Sequence, residues 1–277
     1  MKVLSRIYNT LIFLFLYAPI AVLILFSFND SKSRVVWNGF SLKWYEQLFG
    51  NELIMESLKV TLLVAVLSAL IATVIGTMAA VGIHGMNRKL KKVFLTVNNI
   101  PVNNPEIVTG VSLMLLFVGA ISFMNHTFGT HFKMGFGTLL IAHITFNIPY
   151  VILQVMPKLR QMDKHLYEAA LDLGCHPVSA FFKVILPEIS SGVFTGLLMA
   201  FTLSLDDFVI SLCTAGSGAQ TLSVTIYSMI RRRVTPEVNA VSTLLFGSVL
   251  ILLILVNVMQ IYSENKLKKE QRRAGVR

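Results

Sequence analysis

The chain has 277 residues, of which 55% are hydrophobic and 14% charged. Soluble domains carry roughly a quarter charged residues, so this balance excludes an ordinary water-soluble globule. The net charge of +10 is not organised as a basic stripe interleaved with aromatics, which argues against a nucleic-acid partner.

Stretches free of Asp, Glu, Lys and Arg run over 7–29, 60–87, 107–132, 134–157, 189–205, 208–230 and 238–263. A bilayer span needs about 20 mostly apolar residues, so the chain reads as an all-α integral membrane protein forming one polytopic domain over 1–277. Alternating ten-residue strands are absent, which excludes a transmembrane β-barrel. Six spans are expected near 8–28, 60–83, 105–124, 137–157, 190–212 and 241–262. The first is long enough to stay as an anchor and lacks a small-residue cleavage site, unlike a removed signal peptide.

Between the first two spans lies an aromatic segment with Trp37, Phe40, Trp44, Tyr45 and Phe49. An interfacial belt explains these residues, and a cation–π contact from Trp44 to an ammonium is the alternative. The run Asn98-Asn99-Ile100-Pro101-Val102-Asn103-Asn104-Pro105 precedes the third span, and its two prolines are expected to interrupt any helix rising from Lys92. Glu106 follows. It can face a cavity made by a broken helix, or simply favour the positive start of the next one.

The segment 158–187 differs from an ordinary connection. Leu166, Ala169, Ala170 and Leu173 fall on one face at helical spacing. Gly174 supplies a stop, and Pro177 can open a second short helix. On the fifth span, Asp206 and Asp207 are expected about 24 Å above its start on a continuous helix. Acidic groups at such depth are functional by default, although capping a helix or pairing with a basic residue of a partner subunit is the structural alternative.

Counting Lys and Arg near span ends places both termini inside, together with 84–104 and 158–187; sixteen of the 24 basic residues are then internal. Arg231, Arg232 and Arg233 break that pattern in the outer 213–240 segment. Cys175 and Cys213 fall on opposite sides of the membrane in this topology and fit no metal site, and the six histidines form no ligand pair. No Gly-x-x-x-x-Gly-Lys-Ser/Thr loop or Gly-x-Ser-x-Gly elbow occurs, so neither a catalytic site nor a cofactor is expected in this chain.

Glu168-Ala169-Ala170, three residues, Gly174, nine residues and Val184-Ile185-Leu186-Pro187 resemble the EAA motif of ABC-importer permease subunits, with Val184 in place of the usual Ile. Phe201 to Phe208, Ile226-Tyr227-Ser228-Met229, Pro236 to Ala240, Ser41 to Tyr45 and Pro105 to Val108 extend the likeness to spermidine/putrescine permeases, nearest the second of the two permeases in such systems. The segment near 125–136, with His126 and His131, looks like an insertion relative to that pattern.

The resemblance implies six spans with cytoplasmic coupling helices between the fourth and fifth, in a bacterial cytoplasmic membrane. It implies a second, different permease chain, two copies of an ABC ATPase that bind ATP and Mg, and an extracytoplasmic binding protein delivering a polyamine. Glu168, Ala169, Ala170, Gly174, Val184, Leu186 and Pro187 would engage the ATPase. Asp206, Asp207, Glu106 and Trp44 would line the path. Another solute such as a metal ion, and a self-sufficient secondary transporter, are the alternatives. An intramembrane enzyme is disfavoured, because adjacent carboxylates on a helix project about 100° apart.

Overall fold

A computed structural model of the chain describes residues 2–31, 36–163, 165–216, 218–232, 238–251, 254 and 258, with the backbone alone for 2–5 and 232. The helices are α1 (Lys2–Ser27), α2 (Lys43–Gly50), α3 (Glu52–Gly85), α4 (Arg88–Asn103), α5 (Glu106–Phe128), α6 (Phe136–Gln161), α7 (His165–Asp172), α8 (Pro177–Ala180), α9 (Leu186–Asp206), α10 (Val209–Thr214) and α11 (Leu222–Arg232). A twelfth, α12 (Val238–Ile251), is shorter and apolar. Among the described residues the only β pairing is an isolated bridge from Asn29 to Phe40, so the all-α expectation holds. Among the described residues, five helical stretches are long and apolar enough to cross a bilayer: Arg6–Ser27, Glu52–Gly85, Glu106–Phe128, Phe136–Gln161 and Pro177–Asp206. Residues 252, 253, 255–257 and 259–262 of the sixth expected span, the basic tail from Lys266, Lys164 and Arg233 lie outside the described residues.

The chain divides into two compact units. The first holds residues 1–58 and 222–254. Its interior is built on Trp44, which is 2% exposed among Leu48, Ile54, Leu222, Ala240 and Val241. The indole Nε1 donates to the Asn29 carbonyl at 2.6 Å. The Asn29 side chain in turn holds residues 36–38, donating to the Val36 carbonyl at 2.7 Å and accepting from the Asn38 N–H at 2.9 Å. A large apolar ring with one polar handle is well suited to such a core once that handle is satisfied. Trp44 thus sits inside this core rather than on its surface, with Lys43 Nζ 5.5 Å from its ring centroid.

The second unit covers 59–221 and 255–277, and its described core lies where α3, α6 and α9 meet. Small residues permit the close approach. A Cβ on Gly76 of α3 would lie 2.8 Å from Val151 Cβ of α6, and one on Gly196 of α9 would lie 3.2 Å from Val151 Cγ1. Gly192, Gly196, Ala200 and Ser204 recur every four residues and are all buried on the α9 face towards α6. In lipid, where apolar surface gives helices no net drive to associate, such close packing holds them together. Gly76→Val forces a branched side chain against another branched one, and overpacking of this kind costs about 1–3 kcal/mol. The expected outcome is a lower melting temperature of the purified chain in detergent; unchanged melting would refute this packing account.

Two interruptions differ from expectation. Pro101 does not break α4, which continues to Asn103; Asn104 still donates to the Ile100 carbonyl at 3.1 Å, and the chain turns extended only before Pro105. The residue before a proline is disfavoured in helix, so Pro105 alone ends the segment. The fifth span also stops short of the expected 212. α9 ends at Asp206, Asp207 is extended with φ −62° and ψ 132°, and a separate six-residue helix follows.

Candidate functional site

The segment after α6 is shaped by local rules. Asp163 accepts from the His165 N–H at 3.0 Å to start α7. At its other end Cys175 N donates to the Ala170 carbonyl at 3.0 Å and Gly174 N to the Leu171 carbonyl at 2.9 Å, with Gly174 at φ +83°. This is a Schellman ending, and its left-handed residue is most readily glycine. Pro177 then opens α8, where its missing N–H is harmless.

The second helix is not short. α8 passes through a π turn at Phe181–Ile185 into α9, giving one continuous stretch from Pro177 to Asp206. The turn has a cause in sequence. Pro187 has no N–H for the Lys183 carbonyl and its ring crowds that position, so the ladder slips by one and Leu186 N bonds to the Phe181 carbonyl.

Within this segment Ala170 is buried and Tyr167 packs on the unit core, while Ile185 anchors the π turn. Val184 and Leu186 are half-buried; Ala169 and Pro187 are exposed. Glu168 is exposed too, with its carboxylate 3.6 Å from His165 Nδ1. The amphipathic face expected over 166–173 is covered by the chain only at Ala170. Leu166 is 43% and Leu173 89% exposed, and Val178 and Phe182 continue the exposed apolar surface.

The carboxylates form a second group. Glu106 opens α5 directly after Pro105 and is exposed. α5 packs against α10 at the buried Gly110, where an added Cβ would lie 3.4 Å from Cys213 Sγ and from the Val209 carbonyl. That approach brings Glu106 within electrostatic reach of both Asp207 and Asp206, and the Tyr150 phenol on α6 lies in the field of Glu106. Asp206 is exposed at the end of α9.

Asp207 differs. It is 7% exposed, accepts from the backbone N–H of Ile210 at 3.2 Å and Ser211 at 2.7 Å, and so caps α10. Its Oδ2 also lies 3.6 Å from His143 Nε2, which is 3.1 Å from the Ser211 hydroxyl. Of the alternatives raised by sequence for this residue, the capping one describes its contacts. Glu106 and Asp206, by contrast, are both exposed.

Sequence reasoning passed over His143 and its neighbour one turn on, Asn147. Asn147 Nδ2 donates to the Ser204 hydroxyl at 2.7 Å, and that hydroxyl is 2.9 Å from the Ser68 hydroxyl, joining α6, α9 and α3 inside the unit. The signal was present: two polar residues four apart in an apolar span, and a four-residue stripe of small residues ending at Ser204. Both cysteines are free. Among the described residues no group of three or more His, Cys, Asp or Glu could hold a metal ion.

Residues 72–269 match the family described as "Binding-protein-dependent transport system inner membrane component". This chain belongs to that family. Its similar proteins include the putrescine transport system permease protein PotI of Escherichia coli (strain K12), 40% identical over 238 residues, covering 86% of this chain and 83% of that protein. The spermidine/putrescine transport system permease protein PotC of the same strain is 35% identical over 261 residues, covering 94% of each chain. Among solved structures, a bacterial ABC transporter involved in import of the acidic polysaccharide alginate superposes with a TM-score of 0.75 at 17% identity, over 94% of this chain and 95% of that one. The MetNI methionine ABC transporter in inward-facing form gives 0.57 at 22% identity, over 76% and 98%.

This inner-membrane transport component is thus a multi-pass permease subunit of the ABC-importer type, not itself catalytic, with the ATPase a separate subunit. That membership gives the exposed apolar face of the 165–187 segment a context. Arg231, exposed at the end of α11, has no such context, and nothing in the structure explains it.

Proposed function

We propose that this permease imports polyamines, putrescine or spermidine, delivered by an extracytoplasmic binding protein and driven by two copies of an ATPase that bind ATP and Mg. The observation that carries the substrate class is the pairing of Glu106 and Asp206. Two exposed carboxylates from helix ends distant in sequence, Glu106 and Asp206, feel one another's charge, and Asp207 feels it with them. A flexible multivalent ammonium matches that arrangement, while an anion would be repelled. The names borne by the similar permeases from Escherichia coli support the same class. The 165–187 segment is read as the coupling element, with Glu168, Ala169 and Gly174 at its working end and Val184, Leu186 and Pro187 shaping its continuation. A second, different permease chain completes the pathway, in a bacterial cytoplasmic membrane with both termini inside.

Uptake of radiolabelled putrescine and spermidine, in cells with the partner subunits and with or without this chain, tests the assignment. Uptake that does not depend on the chain would remove the polyamine reading. Glu106→Gln and Asp206→Asn should each lower uptake about tenfold, the worth of one charge-assisted hydrogen bond, with protein levels unchanged. Normal uptake in both variants would make these carboxylates bystanders.

A further inference from the structure

A second concave site lies away from the carboxylates, between α4 and the end of α6. It is a cavity of about 350 Å³ lined by Arg88, Lys91, Lys92, Thr96, Asn99 and Arg160, among others. On α4 these positions follow the i, i+3, i+4 spacing of one face, so the charges converge rather than fan out. Lys91 is committed to His84, whose Nδ1 lies 3.3 Å from its Nζ. Arg88, Lys92 and Arg160 have no carboxylate partner among the described residues, whose ion pairs are His143–Asp207 and His165–Glu168.

Two further observations point to a ligand. Arg88 opens α4, and the Asn87 side chain takes the Leu90 N–H at 3.0 Å, so the first turn presents its remaining N–H groups beside the guanidinium. Asn99, a half-buried residue of the lining, has a side-chain Oδ1 that is turned from solvent and has no hydrogen-bond partner. A buried carbonyl oxygen without a donor is costly, and a ligand hydroxyl or ammonium proton would satisfy it. The opposite face of α4 exposes Leu90, Val93, Phe94 and Val97, apolar surface at the same level as the basic cavity.

From this arrangement we infer that the cavity binds the phosphate of an anionic phospholipid such as phosphatidylglycerol. Arg88, Lys92 and Arg160 hold the phosphodiester, and Asn99 Oδ1 accepts from a headgroup hydroxyl. The acyl chains leave the cavity past Leu95, the apolar residue of its lining. Cationic clefts between membrane helices suit acidic headgroups, and each cation near the headgroup contributes about fivefold in affinity. The site would make transport sensitive to the surrounding lipid.

Native mass spectrometry of the full-length chain in detergent, titrated with phosphatidylglycerol or phosphatidylcholine, tests this. One phosphatidylglycerol should be retained saturably and in preference to phosphatidylcholine. Retention should fall about fivefold for each of Arg88→Gln, Lys92→Gln and Arg160→Gln. Lys89→Gln, a neighbouring charge that does not line the cavity, should leave it unchanged, and Asn99→Leu should weaken phosphatidylglycerol without removing any charge. Equal retention of the two lipids, or equal losses for Lys89→Gln and Lys92→Gln, would overturn the site. Inorganic phosphate that binds with the same dependence on these residues and displaces the lipid at millimolar concentration would overturn the lipid assignment in favour of a soluble phosphate. If a charge variant fails to fold, Asn99→Leu and Lys89→Gln still separate the outcomes.

Discussion

Asp207→Ala is expected to destabilise this protein more than any other single carboxylate change. The substitution removes the acceptor for two buried backbone N–H groups, at 3.2 and 2.7 Å, and leaves His143 facing an empty site. Leaving a buried donor without its acceptor costs about 1–3 kcal/mol per group, because the groups left behind cannot reach water. Helix α10 has only six residues and no other side-chain cap, so its orientation depends on this carboxylate. The measurement is melting in detergent together with the amount of folded chain recovered from membranes. Asp206→Asn provides the contrast, since an exposed neighbour should leave melting unchanged while lowering uptake. Equal melting of Asp207→Ala and the parent chain would show that the cap is not structural.

The second large effect is expected at Gly174, and it should be functional rather than thermodynamic. Its φ of +83° is costly for any residue with a Cβ, by about 1–2 kcal/mol, yet a Cβ there meets nothing within 4 Å. Gly174→Val therefore strains only the turn joining α7 to α8, in a segment where Leu173 is already 89% exposed. The global fold should survive, with membrane insertion and melting close to those of the parent. What should fail is the coupling to the ATPase proposed for this segment. The complex should show loss of substrate-stimulated ATP hydrolysis and of uptake. Full stimulation with a stable Gly174→Val chain would remove the coupling role of this segment.

Much of this was legible in the sequence, for identifiable reasons. Long runs without charge fix spans because bilayer thickness sets a length. Gly174 and Pro177 fix a turn because their backbone preferences are strong and local. Tertiary choices were less visible. Trp44 reads as interfacial by type and position, but it becomes a core residue because the Asn29 carbonyl lies within reach of its indole. Adjacent acids at 206 and 207 look equivalent, yet one is exposed and the other buried, since the helix ends between them and a histidine sixty-four positions earlier stands beside the second. No local rule contains that histidine. The break at 104–105 was legible only in part, because a proline near the end of a helix is tolerated where one just beyond it is not.

The π turn at Phe181–Ile185 has a mechanical consequence. By absorbing Pro187 without breaking the ladder, it leaves Pro177 and Asp206 as the two ends of a single strut of thirty residues, about 45 Å long at 1.5 Å per residue. A push at one end of a stiff strut arrives at the other without waiting for intermediate loops to rearrange. The surface that would meet the motor and the carboxylate that would meet the cargo are thus two ends of one lever, and a tilt too small to disturb either end locally still changes the distance between Asp206 and Glu106.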